Sequence, residues 1–246
     1  MTMDRRVLVP IERPFVTVDL VILTVRNDRL EVLLVRRPAT TGEPYPGLWA
    51  LPGGFIDVGQ DATLEDCARR KLREKTGVES PYLEQLGSYG SASRDPRGWS
   101  VTQVYFALIP DEGIALRPGG NADTAAWWSI PEGSTNLGMD LAFDHAALLT
   151  AALERLRSKV EYTSLPAFLL PREFTLPELQ RAYEIVLGRE VEKSAFRRRV
   201  LDAEVIRKIP KKTRLTERRP AQLYRLKDEA NLKTFARAFG QGKRGG

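Results

Sequence analysis

Residues 162–175 divide the chain into two parts with different sequence patterns. This segment holds Pro166 and Pro171 and has neither helical nor strand periodicity, so we place a domain boundary there. With 246 residues the chain is long enough for two ordinary domains, each with its own core. We therefore assign residues 1–160 to an N-terminal domain and residues 161–246 to a smaller C-terminal domain.

The two parts also differ in charge. Residues 1–160 hold 18 Lys and Arg against 21 Asp and Glu, whereas residues 161–246 hold 20 against 11. Such a division is typical of a small-molecule domain joined to one that binds nucleic acid or a membrane surface. The alternative is a basic tail that only keeps the protein soluble.

Cysteine usage and hydropathy restrict the compartment. Cys67 is the single cysteine, so no intramolecular disulfide can form, which fits a reducing environment. No apolar run approaches the roughly 18 residues of a membrane helix, and the N-terminus has no signal-peptide pattern. These features predict a soluble cytoplasmic protein that does not interact with membranes.

The N-terminal part has the pattern of an α/β domain. Apolar and β-branched runs predict strands at residues 17–25, 30–37, 101–109 and 125–130. A polar turn at residues 27–29 joins the first two as a hairpin. Helix signals begin at Asp61 or Thr63 and end at Gly77, and a longer helix is predicted over residues 143–159.

The helix that ends at Gly77 carries three charged residues on one face. Lys71, Glu74 and Lys75 are at positions i, i+3 and i+4, so they project from the same side. The apolar face would then lie opposite and comprise Leu64, Ala68 and Leu72. A Pro-Gly-Gly sequence at residues 52–54 precedes the helix and favours a shaped loop over a generic surface.

The segment LPGGFIDVGQ…RKLREKTGV resembles the signature of the Nudix family of pyrophosphate hydrolases. The resemblance implies a mixed α/β/α sandwich and a helix whose glutamates hold magnesium on a diphosphate. Gly54, Gln60 and Arg70 take the places of the family's glycine, first glutamate and arginine. Lys71, Glu74 and Lys75 take the places of its three helix glutamates, and the spacer is nine residues rather than seven.

Two lysines at glutamate positions change the chemistry that the helix can support. Magnesium needs oxygen ligands, which lysine lacks. At about 4 Å, each unit of charge on the helix changes its interaction energy with the metal ion by roughly 4 kcal/mol. We therefore predict no metal, no catalytic residue and no cofactor. The ammonium groups would bind a diphosphate without cleaving it. The alternative is that Lys71 and Lys75 are ordinary solvated lysines.

Segments 47–55 and 93–102 resemble the ADP-ribose pyrophosphatase branch of the Nudix proteins. That resemblance implies ADP-ribose or a related nucleotide as an effector ligand. Arginines could hold its phosphates, and aromatic residues, including Trp49, Tyr105 and Trp99, could stack on its adenine or ribose. Arg97 is a further possible phosphate contact. The predicted ligand-binding residues are Arg36, Arg37, Gly53, Gly54, Phe55, Arg70, Lys71, Glu74, Lys75, Arg94 and Trp99.

The C-terminal part has the element order of a winged helix-turn-helix. Residues 175–188 predict a helix with Thr175 as N-cap, and residues 192–206 predict a second helix with Phe196, Val200 and Leu201 as its apolar stripe. Two short β-like segments, 208–209 and 221–226, flank a basic turn. Helix, turn, helix and basic hairpin together predict a DNA-binding domain.

Basic residues cluster on the second helix and on the hairpin. Residues 193–219 hold 11 Lys and Arg against three acids. Helix N-terminal N–H groups favour phosphate, and hairpin residues could reach the DNA backbone or the minor groove. The predicted DNA-binding residues are Lys193, Ser194, Arg197, Arg198, Arg199, Lys211, Lys212, Arg214, Arg218 and Arg219.

The combination of an altered Nudix domain and a basic winged helix resembles transcriptional regulators of the NrtR type, over most of the chain. The resemblance implies a homodimeric repressor of NAD-metabolism genes that binds double-stranded operator DNA and senses ADP-ribose. The helix at 143–159, just before the boundary, would transmit the ligand signal. The alternative is an active hydrolase with an accessory nucleic-acid-binding domain. A third interpretation, an RNA-binding module, is disfavoured because the sequence has no aromatic-rich RNA motif. We interpret His145 and Cys67 as packing residues.

Overall fold

The computed structural model describes residues 13–80, 82–117, 124–215, 220–228 and 232–235. The strands of the N-terminal part are β1 (Phe15–Arg26), β2 (Arg29–Arg36), β3 (Trp49–Ala50), β4 (Gly53–Phe55), β5 (Tyr82–Asp95), β6 (Gly98–Leu108) and β7 (Thr124–Ser129). Its helices are α1 (Leu64–Thr76) and α2 (His145–Val160). The four predicted strands and both predicted helices are therefore present.

These seven strands of the described residues form one mixed sheet. Its path is β3-β2-β1-β6-β5, with β4 paired to β1 and β7 paired to β2. β1 and β6 run parallel, and the other pairs are antiparallel. The turn of the β1–β2 hairpin places Asn27 and Asp28 at positive φ, which asparagine and aspartate tolerate better than most residues.

The central strand β1 has apolar side chains on both faces, which produces two layers of core. Leu20 and Ile22 pack with Ala68 and Leu72 of α1. The alternate residues Val21 and Leu23 belong to the cluster that contains the buried face of α2. A sheet with a helix on each side confirms the predicted α/β/α sandwich.

One long strand was not predicted. β5 runs for 14 residues and pairs with β6 over most of its length. Its sequence, YLEQLGSYGSASRD, has two glycines, four serines or alanines and no β-branched residue, so its strand propensity is low. Hydrogen bonding to β6 determines its conformation.

The C-terminal part is built on two helices and a three-stranded sheet. A 3-10 helix, Leu165–Leu169, precedes β8 (Phe174–Thr175), α3 (Leu176–Leu187), α4 (Lys193–Asp202), β9 (Ile206–Leu215) and β10 (Pro220–Leu226). The sheet order is β8-β10-β9. Thr175 and Glu178 form a reciprocal capping box at the start of α3, as the sequence indicates. This is the predicted winged helix-turn-helix.

Two details of this part correct the sequence analysis. Leu201 is 43% exposed and is not part of the apolar stripe of α4, which consists of Phe196 and Val200. β9 is much longer than the predicted segment 208–209 and includes Lys211, Lys212 and Arg214, which were expected in a turn.

The segment between the two parts is folded and buried. All five residues of the 3-10 helix are buried, and a single apolar cluster includes Leu148 of α2, Phe168, and Phe196 of α4. The winged helix therefore packs directly against the N-terminal domain.

Candidate functional site

A cavity of about 280 Å³ opens beside α1, at the edge of the Gly53–Gly54 strand. Its walls come from β1, β4, α1, the β5–β6 turn and the start of α2. The lining residues are Thr17, Asp19, Val35, Arg37, Glu43, Ala50, Leu51, Gly53, Gly54, Phe55, Lys71, Glu74, Lys75, Arg94, Asp95, Arg97, Phe143 and His145.

α1 is positioned by strong signals at both ends. Thr63 accepts a hydrogen bond from the N–H of Asp66, whose carboxylate accepts one from the N–H of Thr63. Gly77 ends the helix in the left-handed conformation. These caps set the register that directs the lysines of α1 into the cavity.

Lys71 and Lys75 are buried, with relative exposures of 9% and 8%. The alternative that they are ordinary solvated lysines is therefore wrong. The expected geometry of α1 also needs correction: the lysines flank the buried residues Ala68 and Leu72 rather than lying opposite them, and Leu64 is exposed. Burial lowers the pKa of Lys75, an effect that nearby Glu74 opposes.

The two glycines bring the backbone close to charged side chains. A Cβ on Gly54, whose φ is +134°, would lie 3.3 Å from Lys71 Nζ. A Cβ on Gly53 would lie 2.0 Å from Asp19 Oδ1, so no other residue fits there without rearrangement. Within the described residues, no hydrogen bond or ion pair engages the Lys71 ammonium, and this group faces the glycine strand.

The four acids that line the cavity are each paired with an arginine. The closest distances are 2.8 Å for Arg37–Glu43, 2.7 Å for Arg97–Asp95, 2.6 Å for Arg94–Asp19 and 2.9 Å for Arg70–Glu74. The lining holds five Lys or Arg side chains against these four acids, so its formal charge is +1. Such a cavity can hold an anion.

A buried network joins the cavity to α2. Arg94 donates to Asp19 (2.6 Å) and to Asp144 (2.9 Å), which directly precedes α2. Burial would raise the pKa of Asp19, but its hydrogen bond with His145 and the charge of Arg94 outweigh that effect and lower the value to about 2. His145 accepts a hydrogen bond from the N–H of Leu51 through Nδ1, at 2.9 Å. It therefore lines the cavity and is not a packing residue alone.

Aromatic side chains form part of the cavity wall. Arg37 lies 5.0 Å from the centroid of the Phe143 ring. Arg97 lies over Phe55 (5.5 Å) and Phe15 (5.9 Å), and Phe55 is 47% exposed. An exposed ring beside guanidinium groups is suited to stacking with a planar heterocycle.

Eight of the predicted ligand-binding residues line the cavity, and three lie outside the lining. Arg36 donates to the carbonyl of Gly47, Arg70 forms two hydrogen bonds to Asp61, and Trp99 is exposed elsewhere on the surface. Trp49 packs edge-on against Trp128.

The cavity also contains residues that the sequence analysis missed. They are Thr17, Asp19, Val35, Glu43, Ala50, Leu51, Asp95 and Phe143. Asp19 is a polar residue inside an otherwise apolar run, TVDLVIL, and this break in pattern is the signal that could have identified it.

The magnesium sites implied by the Nudix resemblance do not fit these side chains. Lys71 and Lys75 offer no metal ligand, and Gln60 donates to Asp57 outside the cavity lining. Within the described part of the chain, no group of three or more His, Cys, Asp or Glu is arranged to hold a metal.

A second candidate site is the basic face of α4. Arg197 and Arg198 are exposed, whereas Arg199 is half-buried and burial lowers its pKa. The N–H groups of Ser194 and Ala195 donate to the carboxylate of Glu192, at 2.8 and 2.6 Å. The expectation that these N–H groups are available to a phosphate is therefore wrong in this conformation.

Among the residues that the structure describes, two of the five basic residues of β9 are paired within the protein. Lys212 contacts Glu173 at 2.6 Å, and Arg214 contacts Glu178 at 2.7 Å. Lys211 is exposed at positive φ. Arg218 and Arg219, also predicted to contact DNA, lie outside the described residues.

No helix within the described ranges is long and apolar enough to cross a membrane.

Comparison with known proteins agrees with this architecture. Residues 15–148 match the NUDIX domain model, and residues 166–226 match the NrtR DNA-binding winged helix domain model. The ADPR responsive transcriptional repressor NtrR of Acinetobacter baylyi is 47% identical over 212 residues, which cover 86% of this chain and 82% of that protein.

Solved structures show the same arrangement. Shewanella oneidensis NrtR complexed with a 27mer DNA has a TM-score of 0.81 and 43% identity, covering 92% of this chain and 99% of that one. The NUDIX domain of the same protein complexed with ADP ribose has a TM-score of 0.53 and 44% identity, covering 59% and 90%.

The molecule is thus a Nudix domain followed by a DNA-binding winged helix. The extent and identity of the matches show that the chain belongs to the NrtR family of Nudix-related transcriptional regulators.

Proposed function

We propose that this protein is a transcriptional repressor whose affinity for operator DNA is controlled by ADP-ribose bound in the Nudix cavity. The observation that carries the proposal is the pair of buried lysines, Lys71 and Lys75, beside the Gly53–Gly54 strand. They supply positive charge where related hydrolases place metal-binding glutamates. The similar repressor from Acinetobacter baylyi and the ADP ribose complex of the Shewanella NUDIX domain support the choice of ligand.

The same lysines argue against hydrolysis. Cleavage of a diphosphate by a Nudix enzyme uses magnesium to activate water and to balance charge that develops in the transition state. In this protein ammonium groups occupy two of the ligand positions, so the ligand is bound and released intact. We therefore propose a sensor without a metal cofactor.

α2 offers a physical link from the cavity to the winged helix. Arg94 contacts the cavity and donates to Asp144 at the start of α2. Further along α2, Arg157 donates to the carbonyls of Val186 in α3 (3.1 Å) and Ser134 (2.7 Å). A ligand whose phosphates draw Arg94 toward them would change the contact between Arg94 and Asp144 at the start of α2. Such a ligand would therefore bind the DNA-competent and DNA-incompetent states with unequal affinity.

Operator binding is assigned to α4 and the β9–β10 wing of a homodimer. Arg197 and Arg198 are the exposed guanidinium groups of α4, and two copies would read two half-sites one helical turn or a multiple apart. The regulated genes would be those of NAD metabolism.

The experiment is fluorescence anisotropy of the full-length protein on labelled DNA from upstream of its own gene, titrated with ADP-ribose at fixed salt. The nucleotide is recovered afterwards and analysed, and AMP serves as a control ligand. Saturable DNA binding that shifts with intact ADP-ribose is the expected result. Absence of DNA binding, with AMP and ribose 5-phosphate recovered, would show an enzyme instead.

A further inference from the structure

A second cavity lies between the two domains. Its volume is about 440 Å³. It is lined from the N-terminal domain by Asp28 of the β1–β2 turn, Arg29 at the start of β2, residues 129–133 from the end of β7 onward, and Arg157 of α2. Arg181 and Ile185 of α3 line it from the winged helix. It is therefore formed by both domains.

Arg157 is a half-buried cation without a carboxylate partner in the described part of the chain. Its guanidinium donates to three carbonyls, those of Val186 (3.1 Å), Gly133 (3.3 Å) and Ser134 (2.7 Å). Burial lowers its pKa, with no acid to oppose the effect. Since burying a charge is costly unless an opposite charge compensates it, this group favours an anion in the adjoining cavity.

Two more arginines line the same cavity. Arg181 contacts only the exposed Asp28, at 3.2 Å, and such surface pairs are weak. Arg29 is exposed and has no ion pair within the described residues. Guanidinium groups match the geometry of phosphate oxygens through paired N–H donors. Leu30, Ile130 and Ile185 add apolar wall for a small organic group.

We propose that this interdomain cavity binds a phosphorylated small molecule, with its phosphoryl group held by Arg29, Arg157 and Arg181. The Nudix cavity is a separate site, walled by other residues. A ligand that contacts both α2 and α3 would hold the winged helix in one orientation relative to the N-terminal domain. It would therefore bind at the same α2–α3 interface through which ADP-ribose binding would affect DNA binding.

The test is isothermal titration calorimetry of the full-length protein that already carries one equivalent of ADP-ribose. Inorganic phosphate and ribose 5-phosphate are titrated separately at constant ionic strength. We expect saturable binding that is at least tenfold weaker in the Arg29→Gln/Arg181→Gln double variant. The control is the Arg69→Gln/Arg73→Gln variant, which removes two exposed arginines of α1 and should change the affinity less than twofold.

A third variant tests the geometry at the centre of the site. Arg157→Lys keeps the charge but loses the paired donors, and we expect at least fivefold weaker binding. Tighter binding of ribose 5-phosphate than of phosphate identifies a phosphorylated metabolite as the ligand, and equal binding identifies free phosphate. No saturable heat, or equal affinity in the wild type and the Arg29/Arg181 variant, overturns the proposal. ADP-ribose is titrated separately into ligand-free wild type and variants, where its affinity should be unchanged, so failure of this proposal is distinguishable from failure of the proposed function.

Discussion

Among single residues, the buried lysines of α1 have the largest effect on what the Nudix cavity can bind. We expect Lys71→Met to weaken ADP-ribose binding by about 10- to 100-fold, which corresponds to about 1.4–2.7 kcal/mol for the loss of a charge-assisted contact. The fold should tolerate the change, because methionine has a similar length and needs no solvation. Calorimetric titration with ADP-ribose in the absence of magnesium measures the effect.

The matched control for Lys71 lies on the exposed side of the same helix. Arg69→Met also removes one positive charge, but Arg69 pairs with Glu65 in solvent and does not line the cavity. Its effect on ADP-ribose affinity should stay within about twofold, as for a surface charge screened by salt. Similar losses in both variants would mean that net charge, and not the cavity, determines binding.

Lys75 should make ligand binding pH-dependent. Burial lowers its pKa below the ordinary value of 10.5, and a neighbouring diphosphate would favour the ammonium form and raise the pKa again. At an alkaline pH between the Lys75 pKa of the free protein and that of the complex, ligand binding takes up a proton. The affinity for ADP-ribose therefore falls as the pH rises through that range. The dissociation constant should increase from pH 7 to pH 10 (about threefold or more) in the wild type, and much less in Lys75→Met. A flat profile in the wild type would contradict this assignment.

At the scale of elements, the N-terminus of α2 is where the ligand signal would enter. Asp144→Ala removes the contact from Arg94 to α2 but leaves the Arg94–Asp19 pair in place. We expect ADP-ribose affinity to change by less than about threefold, while the effect of ADP-ribose on DNA affinity is reduced, since coupling is a separate free energy. Anisotropy with and without ADP-ribose measures this coupling, and Asp140→Ala, an exposed acid just before α2, is the control.

The end of α3 is held close to the N-terminal domain by a glycine. Gly188 and Gly77 both end helices in the left-handed conformation, with φ of 63° and 73°. A Cβ on Gly188 would lie 2.9 Å from the backbone nitrogen of Gly133, whereas one on Gly77 would be 3.7 Å from its nearest neighbour. Alanine at either position costs about 1 kcal/mol of backbone strain, and at Gly188 about 1–3 kcal/mol more from overpacking. Urea unfolding of the two variants gives the difference, and equal destabilisation would exclude a tight interdomain contact.

Capping and periodicity predicted most elements, because these signals are local. Thr63, Gly77, Thr175 and Gly188 mark the ends of α1 and α3 at the positions expected from sequence. β5 was missed because pairing with β6, and not its own sequence, makes it a strand. Leu201 was wrongly assigned to the core because helical spacing alone does not determine which side of a short helix is buried. Local propensity carries no information about such tertiary contacts.

At the scale of the whole molecule, the sequence indicated two domains but not how they pack. The prolines at 166 and 171 suggested a boundary, yet residues 165–169 are buried in a core that both parts share. The lysines of the cavity were found from a resemblance in motif, whereas Glu43 and Phe143 reach the cavity only through the fold. The interdomain cavity combines residues from four segments far apart in sequence, which no periodicity could bring together.

DNA binding by the proposed dimer should depend steeply on salt, and α4 should carry a definable part of that dependence. Each phosphate contact contributes about 0.9 to the slope of log affinity against log salt concentration. If Arg197 and Arg198 each contact a phosphate in both protomers, Arg197→Gln/Arg198→Gln should lower the slope by about 3 to 4. The slope is measured by anisotropy on operator DNA over a series of salt concentrations.

The control for α4 is a variant with the same loss of charge on the other domain. Arg69→Gln/Arg73→Gln removes two exposed arginines of α1, so a slope set by net charge alone would fall equally in both variants. Weaker binding with an unchanged slope would assign Arg197 and Arg198 to base edges, because base contacts carry sequence specificity without releasing counterions. Unchanged affinity and slope would exclude α4 as the DNA-contacting helix and shift the assignment to the β9–β10 wing.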